Sequence, residues 1–150
     1  MRSYVRHPEA VIFDLDGTLI DTADEFIDIV QRMRRHHGRK PLDEGLIRKS
    51  VTNGSGALVT LALDCPPDHP HFEDFRLEFL DHYEAILGSR ATPYPGMHAL
   101  VKSLGEAGVP WGVATNKFRR FAEPLLAAMQ FKPEAASLVT VSRWSTIVEK

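Results

Sequence analysis

Short apolar runs and longer stretches with helical spacing alternate along the chain, and the two patterns are confined to different regions. Val11-Ile12-Phe13 is an apolar run that ends on an acid. From Thr22 the period changes: Phe26, Ile27, Ile29, Val30 and Met33 fall on one helical stripe, and Thr22 with Glu25 three positions on forms a capping-box pattern. That helix is expected to stop near Gly38. Leu42 to about Val51 predicts a second helix, Asn53-Gly54-Ser55-Gly56 a glycine loop, and Ala57 to Leu63 a third helix. The prolines of the segment 65–71 deny it regular structure, and Phe72, Phe75, Phe79, Leu80, Tyr83, Ile86 and Leu87 then repeat at helical spacing up to Gly88. Residues from about 22 to 88 therefore read as wholly helical.

After the stiff turn Pro93-Tyr94-Pro95-Gly96 the character changes. Met97, Leu100, Val101 and Leu104 mark a helix closed by Gly108, a glycine in the usual left-handed stop position. Trp111 to Thr115 reads as a buried strand and Arg120 to Met129 as a helix, in which Pro124 is tolerable only near the first turn. Ser137 to Val141 reads as a third strand. The order strand, helical block, helix, strand, helix, strand implies an α/β fold with a parallel sheet and helical crossovers, the early helical block being an insertion.

Composition narrows the classes. With 150 residues, 43% of them hydrophobic, the chain can bury a core of about one ordinary domain. A formal charge of -2 provides no basic field for nucleic acid, and Arg32/Arg34/Arg35 and Arg39/Lys40 read as the wet face and end of a helix. The single cysteine, Cys65, excludes an internal disulfide and suggests a reducing compartment. The apolar run after Glu9 is too short for a signal-peptide core or a membrane span, so a cytoplasmic location is expected.

The chemistry is concentrated at the end of the first apolar run. Side chains at i and i+2 of a strand share a face, so Asp14 and Asp16 can converge just beyond its carboxyl end, where open α/β sheets bind ligands. An isolated pair of this kind is common in solvated loops. In the context Val11-Ile-Phe-Asp-Leu-Asp-Gly-Thr-Leu-Ile-Asp21 it closely resembles the first motif of the haloacid dehalogenase (HAD) superfamily of phosphatases, and Val113-Ala-Thr-Asn-Lys117 resembles the second. A Thr-Asn at a strand end is otherwise commonly a helix cap. The helical block and its Pro93–Gly96 return also match the family's inserted cap and hinge. The resemblance runs from about Ala10 to Met129, and within the superfamily it is to bacterial phosphoglycolate phosphatases. Leu77-Glu-Phe-Leu80, Trp111-Gly-Val113 and Arg120-Phe-Ala-Glu-Pro124 add a similarity to N-acetylmuramic acid 6-phosphate phosphatases.

The resemblance implies a HAD-like Rossmannoid parallel sheet, incomplete here, with an inserted all-helical cap. The core would be 1–21 and 89–150, lacking its C-terminal part, and the cap 22–88. It also implies a Mg2+-dependent phosphomonoester hydrolase. Asp14 would attack phosphorus and form an aspartyl-phosphate, and Asp16 would act as acid and then base, which requires a shielded site. Mg2+ would be held by Asp14 and the Asp16 backbone carbonyl, both hard oxygen donors. Gly17 and Thr18 would hold phosphate through the turn's backbone N–H groups, Thr18 serving equally as a simple turn residue. Thr115 and Asn116 would hold it from the neighbouring strand, with Lys117 adding charge.

In the cap, Arg48 and the Asn53, Gly54, Ser55 loop are candidates to meet the substrate's distal group, although a plain helix-to-helix turn accounts for that loop at least as well. His69 and His71 with Cys65 superficially offer metal ligands but read as a solvated loop, and His36 and His37 as helix-end residues facing the dipole. Relatives carry a third-motif lysine, for which Lys150 stands near the expected distance, and a fourth-motif acidic strand end, which does not follow here. The expectation is a truncated or altered product with weakened Mg2+ binding, little turnover and an uncovered β edge. The expected partner is a small phosphorylated metabolite, either 2-phosphoglycolate or an amino-sugar phosphate, with neither nucleic acid nor membrane involved and the chain a monomer or weak homodimer. The non-enzymatic alternative is a catalytically dead remnant or a phosphate-binding module.

Overall fold

A computed structural model of the protein describes residues 8–141. In chain order the elements are β1 (Val11–Phe13), β2 (Ile20–Asp21), α1 (Ala23–His36), α2 (Glu44–Ser50), α3 (Gly54–Leu63), α4 (Phe72–Ile86), β3 (Thr92–Pro93), α5 (Met97–Glu106), β4 (Trp111–Phe118), α6 (Arg119–Ala128) and β5 (Ser137–Val141). They form two compact units. One contains the segments that end at Leu15 and resume at Pro93, and the other runs Asp16–Thr92. The three sheet strands and the helices between them give the mixed α/β class expected. Among the described residues no helix is long and apolar enough to cross a membrane.

The sheet unit is a three-stranded parallel sheet in the order β1-β4-β5. Parallel neighbours need crossovers, supplied between β4 and β5 by α6. The register pairs Val11, Ile12 and Phe13 with Trp111, Gly112 and Val113, and Gly112 to Thr115 with Ser137 to Thr140. Phe13, Trp111 and Val113 alternate onto one buried face, where Phe13 and Trp111 meet edge to face at 5.9 Å. Phe121 and Leu125 of α6 are buried with them. The opposite face carries Ile12 and Val139, which are 58% and 62% exposed. Gly112 lies on that face, where an added Cβ would collide with Ser137 and stand 3.3 Å from Ile12 Cδ1.

The helical unit is closed by the stripe that the spacing predicts. Phe26, Ile27, Ile29, Val30 and Met33 are all buried, and Phe26 stacks on Tyr83 at 4.8 Å and on Phe79 at 6.0 Å. Several local expectations are corrected. Thr22 makes no side-chain cap on α1, and instead Asp21 Oδ1 accepts from Ala23 N at 3.0 Å. Glu25, fully buried, accepts the backbone N–H groups of Arg90 and Ala91 at 3.0 and 3.2 Å. The capping box fails because both of its side chains are recruited by more distant partners.

Arg34 is buried rather than wet, its guanidinium donating to Lys40 O at 2.5 Å and Ala62 O at 2.7 Å. The glycine loop is shorter than expected: Val51–Asn53 is a 3-10 turn, and α3 begins at Gly54, whose φ of +83° is a value only glycine adopts at little cost. Pro124 sits in the second turn of α6 rather than the first.

Candidate active site

The β1–β4 pairing positions a first group of residues within the sheet unit. Because Phe13 pairs with Val113, Asp14 leaves the carboxyl end of β1 beside the stretch of β4 that continues through Ala114 to Thr115. Asp14 is exposed, Leu15 wholly buried and Asp16 half-buried, the alternation of an extended chain with Leu15 turned inward. Leu15 N donates to Asp14 Oδ1 at 2.8 Å and fixes that carboxylate. On β4, Thr115 Oγ1 accepts from Lys117 N at 3.1 Å, and the β4–β5 register breaks between Thr115 and Phe118. That break turns Asn116 out to solvent and leaves Lys117 half-buried. Asp14, Thr115, Asn116 and Lys117 thus gather at the carboxyl ends of two neighbouring parallel strands, where ligands of open α/β sheets sit.

A second group of the residues singled out in the sequence lies in the helical unit. Gly17, at φ +77°, donates to Ile20 O at 3.0 Å, closing the turn that exposes Thr18. Asp16 Oδ1 accepts from Thr22 Oγ1 at 2.8 Å. The 3-10 turn abuts this loop, because a Cβ on Gly17 would stand 3.4 Å from Thr52 Cγ2, which brings Asn53 and Gly54 into the same neighbourhood.

Arg48 is engaged with Asp21 at 3.4 Å and Asp24 at 2.5 Å. Ser55 Oγ accepts from Arg76 Nε at 3.3 Å, which directs it to α4. Three residues around Asp16 escaped the sequence reading: Thr22, Thr52 and Tyr83. Burial, and then the negative charges of Asp16 and Glu25, push the Tyr83 phenol above its ordinary range and keep it protonated. Thr22 was legible only as a helix cap and Tyr83 only as core. Lys150 lies outside the described residues.

The carboxylate of Asp14 and the backbone carbonyl of Asp16 are hard oxygen donors, and neither imidazole nor thiolate accompanies them on the strand end or the turn. That donor chemistry fits Mg2+. Among the described residues, β4 and β5 bring no carboxylate of their own.

The family model of haloacid dehalogenase-like hydrolases matches residues 11–143, nearly the whole chain. The chain belongs to this family. Among curated relatives, it is 43% identical over 131 residues to the N-acetylmuramic acid 6-phosphate phosphatase of Pseudomonas aeruginosa, covering 87% of this chain and 58% of that protein. It is 34% identical over 135 residues to the phosphoglycolate phosphatase of Xanthomonas campestris pv. campestris, covering 90% and 61%. The chain thus spans about three-fifths of the length of these relatives. A haloacid dehalogenase-like hydrolase from Streptococcus pneumoniae superposes with a TM-score of 0.77 at 20% identity, over 89% of this chain and 61% of that one, and so shares the fold.

Proposed function

We propose that the chain carries the nucleophilic half of a phosphoric monoester hydrolase acting on a small anionic substrate. The observation that carries this reading is the β1–β4 register, which delivers Asp14 to the strand end that also bears Thr115 and Asn116. An Asp14 carboxylate oxygen attacks phosphorus, the ester P–O bond breaks, and Asp16 gives its proton to the departing alkoxide. Asp16 then takes a proton from water as that water attacks the aspartyl-phosphate, releasing phosphate and restoring Asp14. Thr115 and Asn116, with the backbone N–H of Thr18, hold the phosphoryl oxygens, the Gly17 N–H being spent on Ile20 O at 3.0 Å. Asp14 and the Asp16 carbonyl would hold Mg2+, which when bound neutralises charge on those oxygens.

Thr22 is a positioning residue, because its hydroxyl fixes the Asp16 carboxylate. Asn53 and Gly54, beside the Gly17 turn, with Arg48 select the distal part of the substrate, whereas Ser55 is held to α4 by Arg76. The higher identity to the N-acetylmuramic acid 6-phosphate phosphatase favours an amino-sugar phosphate, and 2-phosphoglycolate is the second candidate, supported by the Xanthomonas relative.

Phosphate release with Mg2+, measured on both substrates, tests this. Asp14→Asn is expected to lower kcat by at least about a thousandfold. Thr22→Val is expected to lower it by roughly ten- to a hundredfold with KM little changed, the cost of a misplaced acid. Equal background from the parent and Asp14→Asn proteins would leave a catalytically dead remnant or a phosphate-binding module as the surviving readings.

A further inference from the structure

The helical unit gathers donors of a different chemistry away from the Asp16 turn. His36 is the last residue of α1, and His37 follows with φ −92° and ψ 20°, leaving the helix so that the two imidazoles come within 5.0 Å of each other. Both face Glu78 on α4. His36 Nδ1 is 3.0 Å from Glu78 Oε1 and His37 Nε2 is 3.0 Å from Glu78 Oε2. One ligand atom from each of these three residues lies within 4.8 Å of the others. One helical turn further along α4, His82 Nε2 is 3.7 Å from Glu78 Oε1, shielded from solvent and without a hydrogen-bond partner among the described residues. Phe75 packs edge-on against His37 at 5.3 Å and fixes that ring.

We infer that His36, His37, Glu78 and His82 form a binding site for a borderline divalent transition metal of the Zn2+ class. Three imidazole nitrogens and one carboxylate oxygen are the donor types that Zn2+ takes, whereas Mg2+ takes oxygen. Four ligands at the usual Zn–N and Zn–O lengths stand about 3.3 Å apart from one another. Measured to the single oxygen Glu78 Oε1, the His36, His37 and His82 nitrogens stand at 3.0, 3.3 and 3.7 Å, on either side of that spacing, with His82 the outlying member that must move inward.

Pairwise hydrogen bonds to Glu78 account for His36 and His37 but leave the shielded His82 nitrogen aimed at the same carboxylate with no bond of its own. A cation among the four satisfies all of them. The bound ion would clip the carboxyl end of α1 to the middle of α4. The two sites would then sort their metals by donor type, hard oxygen at Asp14 and imidazole here.

The test uses tag-free, metal-stripped full chain titrated with Zn2+ by calorimetry in millimolar Mg2+, which occupies the oxygen site. Saturable binding of one Zn2+ per chain is expected, as are a Zn2+-dependent rise in Tm and a visible absorption band with Co2+. His36→Ala, Glu78→Gln and His82→Ala should each weaken Zn2+ at least about tenfold, with circular dichroism confirming the fold, while the double variant His69→Ala/His71→Ala should bind like the parent. Absence of saturable binding would overturn the inference. So would binding that survives His36→Ala and Glu78→Gln, or that is lost with His69 and His71.

Discussion

The two units bury apolar side chains by different means. In the helical unit each amphipathic helix finds another helix for its stripe, so Phe26, Phe79, Tyr83 and Ile29 are almost wholly enclosed. The sheet unit encloses Phe13, Trp111 and Val113 on one face while Ile12 and Val139 stay mostly exposed on the other. Among the described residues this parallel sheet has one open face, where such sheets are ordinarily covered on both sides. An amphipathic helix is satisfied by local neighbours, whereas a strand rich in apolar residues on both faces depends on two layers.

Three substitutions sharpen or break that contrast, each read by urea unfolding. Phe79→Ala empties a closed aromatic cluster and is expected to cost about 3–5 kcal/mol. Gly112→Ala forces a methyl against Ser137 and Ile12 and is expected to cost about 1–3 kcal/mol. Val139→Thr acts on the open face and is expected to change stability by no more than about 0.5 kcal/mol while reducing self-association. A loss at Val139 comparable with that at Phe79 would show that the open face is covered in solution.

Element type was legible wherever one signal dominated. The α1 stripe, the Trp111 strand and the Ser137–Val141 strand all form as their spacing predicts. The acid pair stood out because Asp14 and Asp16 follow directly on an apolar run that forms β1. What the sequence could not show was competition for one side chain. Thr22 and Glu25 fit a capping box, yet Asp16 takes the hydroxyl and the Arg90–Ala91 backbone takes the carboxylate.

Arg34 likewise lies among basic neighbours that read as wet, but the carbonyls that bury it come from Lys40 and Ala62, and the latter is remote in sequence. The cluster of His36, His37, Glu78 and His82 was hidden for the same reason: its halves sit on two helices separated by more than thirty residues.

The hydrogen bond from Thr22 to Asp16 makes the start of α1 and the acid one mechanical element. Helix ends fray before cores melt, so warming should loosen this acid while Phe79 and Tyr83 are still packed. If the chain acts as proposed, heat inactivation would then precede the loss of tertiary structure, and turnover would serve as a thermometer for a single helical turn.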